Sequence, residues 1–192
     1  VTGLLARVCL YAGQRENAFN YSTEVIKASN NGIFPFVDRS LVNGTAQDPD
    51  RIFSPEVLFA LSDSQRGELF EEYFDPSLAP NMVFRMETDL LEQTIYGGTG
   101  TGGNLDDYRC RSNWISSGSA RYFYKYSDMT ESGRIENTMI PLLRLGEMYL
   151  IAAESQSNSL ANGVSYINTL RKNRGVSNLQ TLTTTLLQYE YI

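Results

Sequence analysis

The residues with the most chemical promise lie between 108 and 126. Tyr108, Trp114, Tyr122, Phe123, Tyr124 and Tyr126 are interleaved there with Arg109, Arg111, Asn113, Arg121 and Lys125. Exposed aromatic rings beside amide and charged groups suit carbohydrate. The apolar C–H face of a sugar stacks on a ring, polar side chains bond its hydroxyls, and a rigid ring costs little entropy to order. The competing reading is that half or more of these rings are core. Trp114 is expected to be exposed, because serines, an asparagine and a glycine surround it. With Tyr96, Tyr108, Asn113 and Tyr122 it forms the candidate sugar-binding set.

Other chemistries fit less well. Glu68, Glu71, Glu72, Asp75, Glu87, Asp89 and Glu92 crowd residues 67–92. A glycosidase needs two carboxylates at a defined separation, and no spacing here fixes such a pair, so a solvated face accounts for them. The stretch YGGTGTGGNLDD at 96–107 reads as a surface loop. A phosphate loop needs a preceding strand, a following helix and Gly-Lys-Ser/Thr, and Asp106 and Asp107 would repel a phosphate. Asp48 and Asp50 flank Pro49 without the spaced oxygen ligands of a calcium loop, and read as a capped turn. The chain has no histidine, which removes Ser-His-Asp and Cys-His catalysis and the common zinc sites. Cys9 and Cys110 have no CxxC spacing; they could pair with each other, and the plainer reading is two unpaired small side chains. No catalytic residue, metal or cofactor is expected. A net charge of -6 without a basic run argues against nucleic acid. No apolar run reaches the roughly 20 residues that span a bilayer.

The elements that must position these residues are clearer. The chain has 192 residues, of which 42% are hydrophobic, enough for one sizeable domain. The strongest pattern runs from Met139 to Val176. Pro141 suits the first turn of a helix. Leu142, Leu145, Met148, Tyr149, Ala152 and Ala153 follow at helical spacing, and Val164, Ile167 and Leu170 restart the period. Arg171, Lys172 and Arg174 make a basic last turn before Gly175. The first 32 residues repeat this plan. Leu4, Leu5, Val8, Leu10 and Tyr11 mark one helix, Gly13 and Gln14 a turn, and Ala18, Tyr21, Val25 and Ile26 a second helix ending at Asn30-Asn31-Gly32. Aligning ARVCLYAG with GEMYLIAA brings the apolar positions into step, a pattern that resembles tetratricopeptide repeats.

The fold class is therefore expected to be mainly α: tetratricopeptide-like helical hairpins with a loop-rich insertion containing little strand. The parts are 1–32, a hairpin; 33–138, an irregular insertion with aromatic-rich loops; and 139–192, a hairpin and the start of a further helix, all in one domain. Within the insertion, Ser54 to Leu61 reads as a short buried strand or helix start, and Arg121 to Tyr126 alternates as a strand does. Arg144 and Glu147 stand at i and i+3, with Glu154 one heptad beyond. They are read as a semi-buried arginine–carboxylate network with Arg171 or Arg174, structural rather than ligand-binding.

The order of these pieces resembles the SusD/RagB family of outer-membrane nutrient-binding lipoproteins. The matching steps are LLARVCLYAGQRENAFNYSTEVI, SPEVLFAL, Asp107-Tyr108-Arg109, Tyr124-Lys125-Tyr126, and above all IPLLRLGEMYLIAAES with INTLRKNRGV. The resemblance implies a non-enzymatic role, capturing a glycan or oligosaccharide at the cell surface. It implies a SusC-like TonB-dependent transporter as partner, with the helical pairs against the transporter and the insertion loops toward the glycan. It also implies attachment to the outer membrane only through a lipid anchor outside this chain. The family's lipid-bearing cysteine segment and its later helices are missing, so the chain reads as a fragment or shortened member. Two other readings stand beside this one: a tetratricopeptide-type module binding a protein or peptide, with the aromatic stretch as core, and a glycoside hydrolase.

Overall fold

The computed structural model describes residues 1–42, 48–96, 105–131, 133–156 and 160–191. In chain order the elements are α1 (Thr2–Tyr11), α2 (Arg15–Asn30), β1 (Val57–Ser62), α3 (Arg66–Tyr73), β2 (Arg85–Glu87), α4 (Tyr108–Asn113), β3 (Trp114–Ser117), β4 (Ala120–Phe123), β5 (Met139–Arg144), α5 (Leu145–Glu154), α6 (Val164–Asn173) and α7 (Thr184–Glu190). A π-helix covers Leu90–Ile95. The chain is mainly α, and it divides into two compact units. Unit 1 is Val1–Phe36, Pro55–Phe59 and Leu142–Ile192; unit 2 is Val37–Ser54 and Ala60–Pro141.

Unit 1 holds the helical hairpins. Gly13, at φ 72, turns the chain between α1 and α2 in a conformation that costs glycine nothing. Helix α2 packs on α1 and on α5, and α5 packs in turn on α6 and α7. The two hairpins are thus neighbours in space although the whole insertion separates them in sequence. Their shared core is aliphatic and small: Ala6, Cys9, Ala18, Ile26, Leu145, Met148, Ile151, Ala152, Ala153 and Ile167. Close approach is built into it. A Cβ on Gly163 would stand 2.6 Å from the Ala153 carbonyl oxygen, so only glycine lets α6 begin where it does.

Polar side chains tie unit 1 together. Glu56 is fully buried, and the Arg174 guanidinium donates to both its oxygens, at 2.7 and 2.5 Å. Arg7 donates two bonds of 2.6 Å to Glu147 and one of 2.7 Å to the Leu142 carbonyl. In the alignment of the two hairpins Arg7 and Glu147 occupy equivalent positions, so this fork joins the two first helices. Arg171 donates to the Ser177 carbonyl at 2.6 Å and pairs with Glu190, while the Tyr191 hydroxyl donates to Glu154 at 2.7 Å. Both contacts fasten the segment around α7.

Several expectations are corrected here. Residues 139–144 form strand β5, hydrogen-bonded to β1, and not the first turn of a helix. Pro141 therefore lies in a strand of a two-stranded sheet, where its missing N–H is tolerated, and α5 starts only at Leu145. Arg144 is extended at the N-cap of α5, off the helix, so it does not stand one turn below Glu147. Glu147 is held by Arg7 and Glu154 by Tyr191, and Arg171 and Arg174 pair with Glu190 and Glu56. On α1 the predicted apolar face is inverted. Leu4, Leu5, Val8 and Tyr11 are exposed, Tyr11 to 85%, while Gly3, Ala6 and Cys9 are buried. Small residues admit the close helix contact that leucine would block, and they decide which face turns inward. Strand β1 is not buried either, since Phe59 and Leu61 are exposed.

Candidate functional site

Unit 2 carries the aromatic residues, and its local structure decides which of them reach the surface. Strands β2, β4 and β3 form an antiparallel sheet in that order, with Trp114 opposite Phe123, Ile115 opposite Tyr122 and Ser116 opposite Arg121. Side chains alternate along a strand, and directly opposed residues share a face. Phe123 and Trp114 therefore lie on one face with Arg121, while Tyr122 turns to the other face and is buried.

On the face of Phe123 the rings form a continuous ladder. Trp114 meets Phe123 at 5.0 Å between centroids, Phe123 meets Phe74 at 5.7 Å, Phe74 meets Phe84 at 5.8 Å, and Phe84 meets Tyr73 at 5.9 Å. Tyr126 branches from Phe123 at 6.2 Å. A backbone bond of 2.7 Å from Phe84 N–H to the Tyr73 carbonyl holds the outer pair in place. Phe84 is 63% exposed, Tyr73 and the nearby Met82 are also exposed, and Phe74, Phe123 and Trp114 are half-buried. The rings at the inner end are locked by packing and the outer ones face water. Arg121 adds hydrogen-bonding capacity beside the ladder, bonded to Glu92 and Ser116. Such a surface can stack against the C–H faces of a sugar while charged groups at its side bond hydroxyls.

The candidate set from sequence is divided by this geometry. Trp114 and Tyr96 come together through a side-chain hydrogen bond. Burial raises the Tyr96 hydroxyl above its ordinary pKa, opposed mainly by the nearby Arg109 charge. Trp114 is half-buried against Phe123 rather than open. Tyr108, Asn113 and Tyr122 are buried. Tyr108 sits in a small core with Val37, Val42 and Phe53, under the Arg39 guanidinium at 5.9 Å. Asp107, itself buried, caps α4 by accepting from Arg109 N–H at 2.8 Å and grips the Arg109 guanidinium at 2.8 Å. The Asp107-Tyr108-Arg109 step is thus a clasp. It also corrects one expectation, because a helix, α4, does follow the glycine-rich stretch; residues 97–104 of that stretch lie outside the described residues.

The remaining chemistry is quiet. Glu68, Glu71, Glu72, Glu87 and Asp89 face solvent, and Glu92 is taken up by Arg121. Cys9 and Cys110 are free and buried, and burial pushes the Cys110 thiol up to about 11. Among the described residues no group of three or more His, Cys, Asp or Glu could hold a metal ion, and no helix is long and apolar enough to cross a membrane.

The architecture has close counterparts among solved structures. A SusD-like carbohydrate binding protein from Bacteroides vulgatus is 20% identical with a TM-score of 0.57; the match covers 99% of this chain and 40% of that one. A SusD superfamily protein from Bacteroides thetaiotaomicron is 18% identical with a TM-score of 0.65, covering 99% and 44%. The fold is SusD-like. The chain spans about two fifths of the length of these structures. No protein-family model and no curated protein matches the sequence.

Within this SusD-like fold the sequence reading missed the outer half of the ladder. Phe70, Tyr73 and Phe74 recur at i, i+3 and i+4 on α3, a signal masked by the acidic residues between them. Phe84 stands alone in sequence beside Pro80, Asn81 and Met82, and nothing local marks it.

Proposed function

We propose that the chain is part of a cell-surface protein that binds glycans or oligosaccharides without cleaving them. The observation that carries this reading is the ladder from Trp114 to Tyr73, a graded aromatic surface with its outer rings in water, on a fold shared with a protein described as carbohydrate binding. The ligand is extended, because the ladder offers several ring faces in series and a single sugar would occupy only one or two. Stacking on such rings needs no ionised catalyst, metal or cofactor.

The wider setting follows from the resemblance to the SusD/RagB family. The protein is a lipoprotein of the outer membrane, anchored by a lipid outside this chain, and it works with a SusC-like TonB-dependent transporter in nutrient uptake. Unit 1 is the part assigned to the transporter and unit 2 the part assigned to the glycan. Two experiments test these statements. Affinity electrophoresis of the full-length protein in polysaccharide gels should show retardation by at least one glycan, and free migration in every gel would defeat the binding reading. Co-purification with a SusC-like transporter tests the partnership, and its absence in mild detergent would remove the transporter from the account.

A further inference from the structure

Helix α1 is apolar on both of its sides. Gly3, Ala6 and Cys9 are buried, and Ala6 and Cys9 belong to the core that α1 shares with α2, α5 and α6. The opposite side carries Leu4, Leu5, Val8 and Tyr11, exposed to 50%, 40%, 54% and 85%. Arg7 is the only charged residue of the helix, and its guanidinium is spent on Glu147 and on the Leu142 carbonyl. A helix that borders water keeps a polar face toward it, and one that is hydrophobic all round is a buried helix.

Helices α2, α5 and α6 of the same unit obey this rule. Every exposed residue of α2 is polar or charged, Asn17, Asn20, Glu24 and Lys27 among them. Helix α6 turns Ser165, Thr169 and Lys172 outward, and α5 has no exposed residue. The departure at α1 is therefore local, and it has a shape. Leu4, Val8 and Tyr11 recur at four and three residues with Leu5 beside them, which is one straight stripe along the helix. A second helix lying alongside at a shallow angle fits such a stripe, its own apolar side chains entering the gaps.

The stacking already present says which helix that is. The α1–α2 hairpin packs on the α5–α6 hairpin, chiefly through α2 and α5. In an array of such repeats each hairpin buries its apolar face on the next, and the last one presents a polar outer face. The outer face of α1 is not polar, so this hairpin is an inner member of its array. Polypeptide to continue the array belongs to proteins of this fold: the matched solved structures use 99% of this chain but only 40% and 44% of their own length. We infer that in the full-length protein the face of Leu4, Leu5, Val8 and Tyr11 is covered by a helix of a further hairpin of the same polypeptide. That helix carries aliphatic residues at three- and four-residue spacing, with a polar group near Tyr11, whose hydroxyl needs a partner once it is buried. The inference rests on the packing of unit 1 and not on the glycan-binding reading.

Two measurements on the full-length protein, with no other protein present, test it. In hydroxyl-radical footprinting of the wild type, Tyr11 should be oxidised at least about fivefold more slowly in the folded protein than in urea; similar rates would leave the face open to water and overturn the inference. Photocross-linking from benzoylphenylalanine at position 11 identifies the cover. The product should run as a monomer, with the cross-link at a residue outside these 192. A cross-linked dimer would make the cover a second copy. A cross-link that forms only when a SusC-like transporter is added would make it the transporter. Either result, a cross-link confined to these 192 residues, or none at all would overturn the inference. All of these outcomes leave the ring ladder and its sugar titrations untouched.

Discussion

Unit 1 closes its polar groups on one another, whereas unit 2 leaves rings and polar atoms open. In unit 1, Glu56 meets Arg174, Glu147 meets Arg7 and Glu190 meets Arg171, around a core of small and aliphatic side chains. In unit 2 the compact core is the small set Val37, Val42, Phe53 and Tyr108, and much of the aromatic surface stays half in water. Of the buried polar atoms without a partner among the described residues, Asp50 Oδ1, Arg51 Nε, Arg66 Nε and Arg121 Nε belong to unit 2, and only Ser155 Oγ to unit 1. A scaffold gains from satisfying every group internally; a binding surface must keep some capacity unspent until its ligand arrives. This contrast supports the proposed division, with stability carried by the first unit and recognition by the second.

The largest effect that would break this contrast is expected at Glu56. Removing its carboxylate in Glu56→Ala takes both of these hydrogen bonds and the ion pair from the buried Arg174 guanidinium, and breaking a buried pair in this way costs about 3–5 kcal/mol. Urea unfolding should show that loss, with sugar affinity per folded molecule unchanged; a loss below about 1 kcal/mol would mean the pair is not part of the scaffold. Ile151→Ala comes next, at about 2–5 kcal/mol for a fully packed aliphatic side chain. Gly163→Ala pushes a methyl group against the Ala153 carbonyl and should cost about 1–3 kcal/mol as overpacking. In unit 2 the pattern reverses. Phe84→Ala should change stability by no more than about 0.5 kcal/mol, because the ring is largely exposed, but should weaken glycan binding by about 1 kcal/mol or more, roughly fivefold.

The smallest effect concerns Cys110, whose thiol is pushed from 9.0 to about 11 by burial, with Asp107 adding to the rise. The folded state disfavours the thiolate, so its contribution is intact below pH 9 and stability declines as pH rises from there toward 11. Alkylation of Cys110 by iodoacetamide at pH 8 should accordingly be slow in the folded protein and fast in urea. Rapid labelling of the folded protein would show that this part of unit 2 is open to solvent.

How far sequence carries the argument differs between the units for the same physical reason. The ends of the hairpins were legible because glycine punctuation is local: Gly13, Gly32 and Gly175 all adopt positive φ where the turns were expected. Strand β5 was not legible, since an apolar run through Pro141, Leu142 and Leu143 fits a helix as well as a strand until β1, some eighty residues earlier, pairs with it. The inward face of α1 was misread because hydrophobicity favours Leu4 and Leu5, while close packing favours Gly3, Ala6 and Cys9. Salt-bridge partners lie far apart in sequence, Arg7 from Glu147 and Glu56 from Arg174, so no spacing rule finds them. Sequence marked the aromatic region around Trp114 but expected that ring to be exposed, and it is half-buried. It did not separate buried Tyr108 and Tyr122 from half-exposed Phe123, a distinction made by strand register.

The most direct test of the central claim uses the single tryptophan. Trp114 is the only tryptophan of these 192 residues and lies at the inner end of the ladder, so a fluorescence change that is lost in Trp114→Phe reports on the ring surface. Titration of the full-length protein with neutral oligosaccharides should give a saturable change for at least one of them, and Phe84→Ala should weaken that binding about fivefold or more while unfolding at the same urea concentration. No response to any oligosaccharide, or equal affinity in the wild-type protein and Phe84→Ala, would contradict the assignment of glycan binding to the ladder.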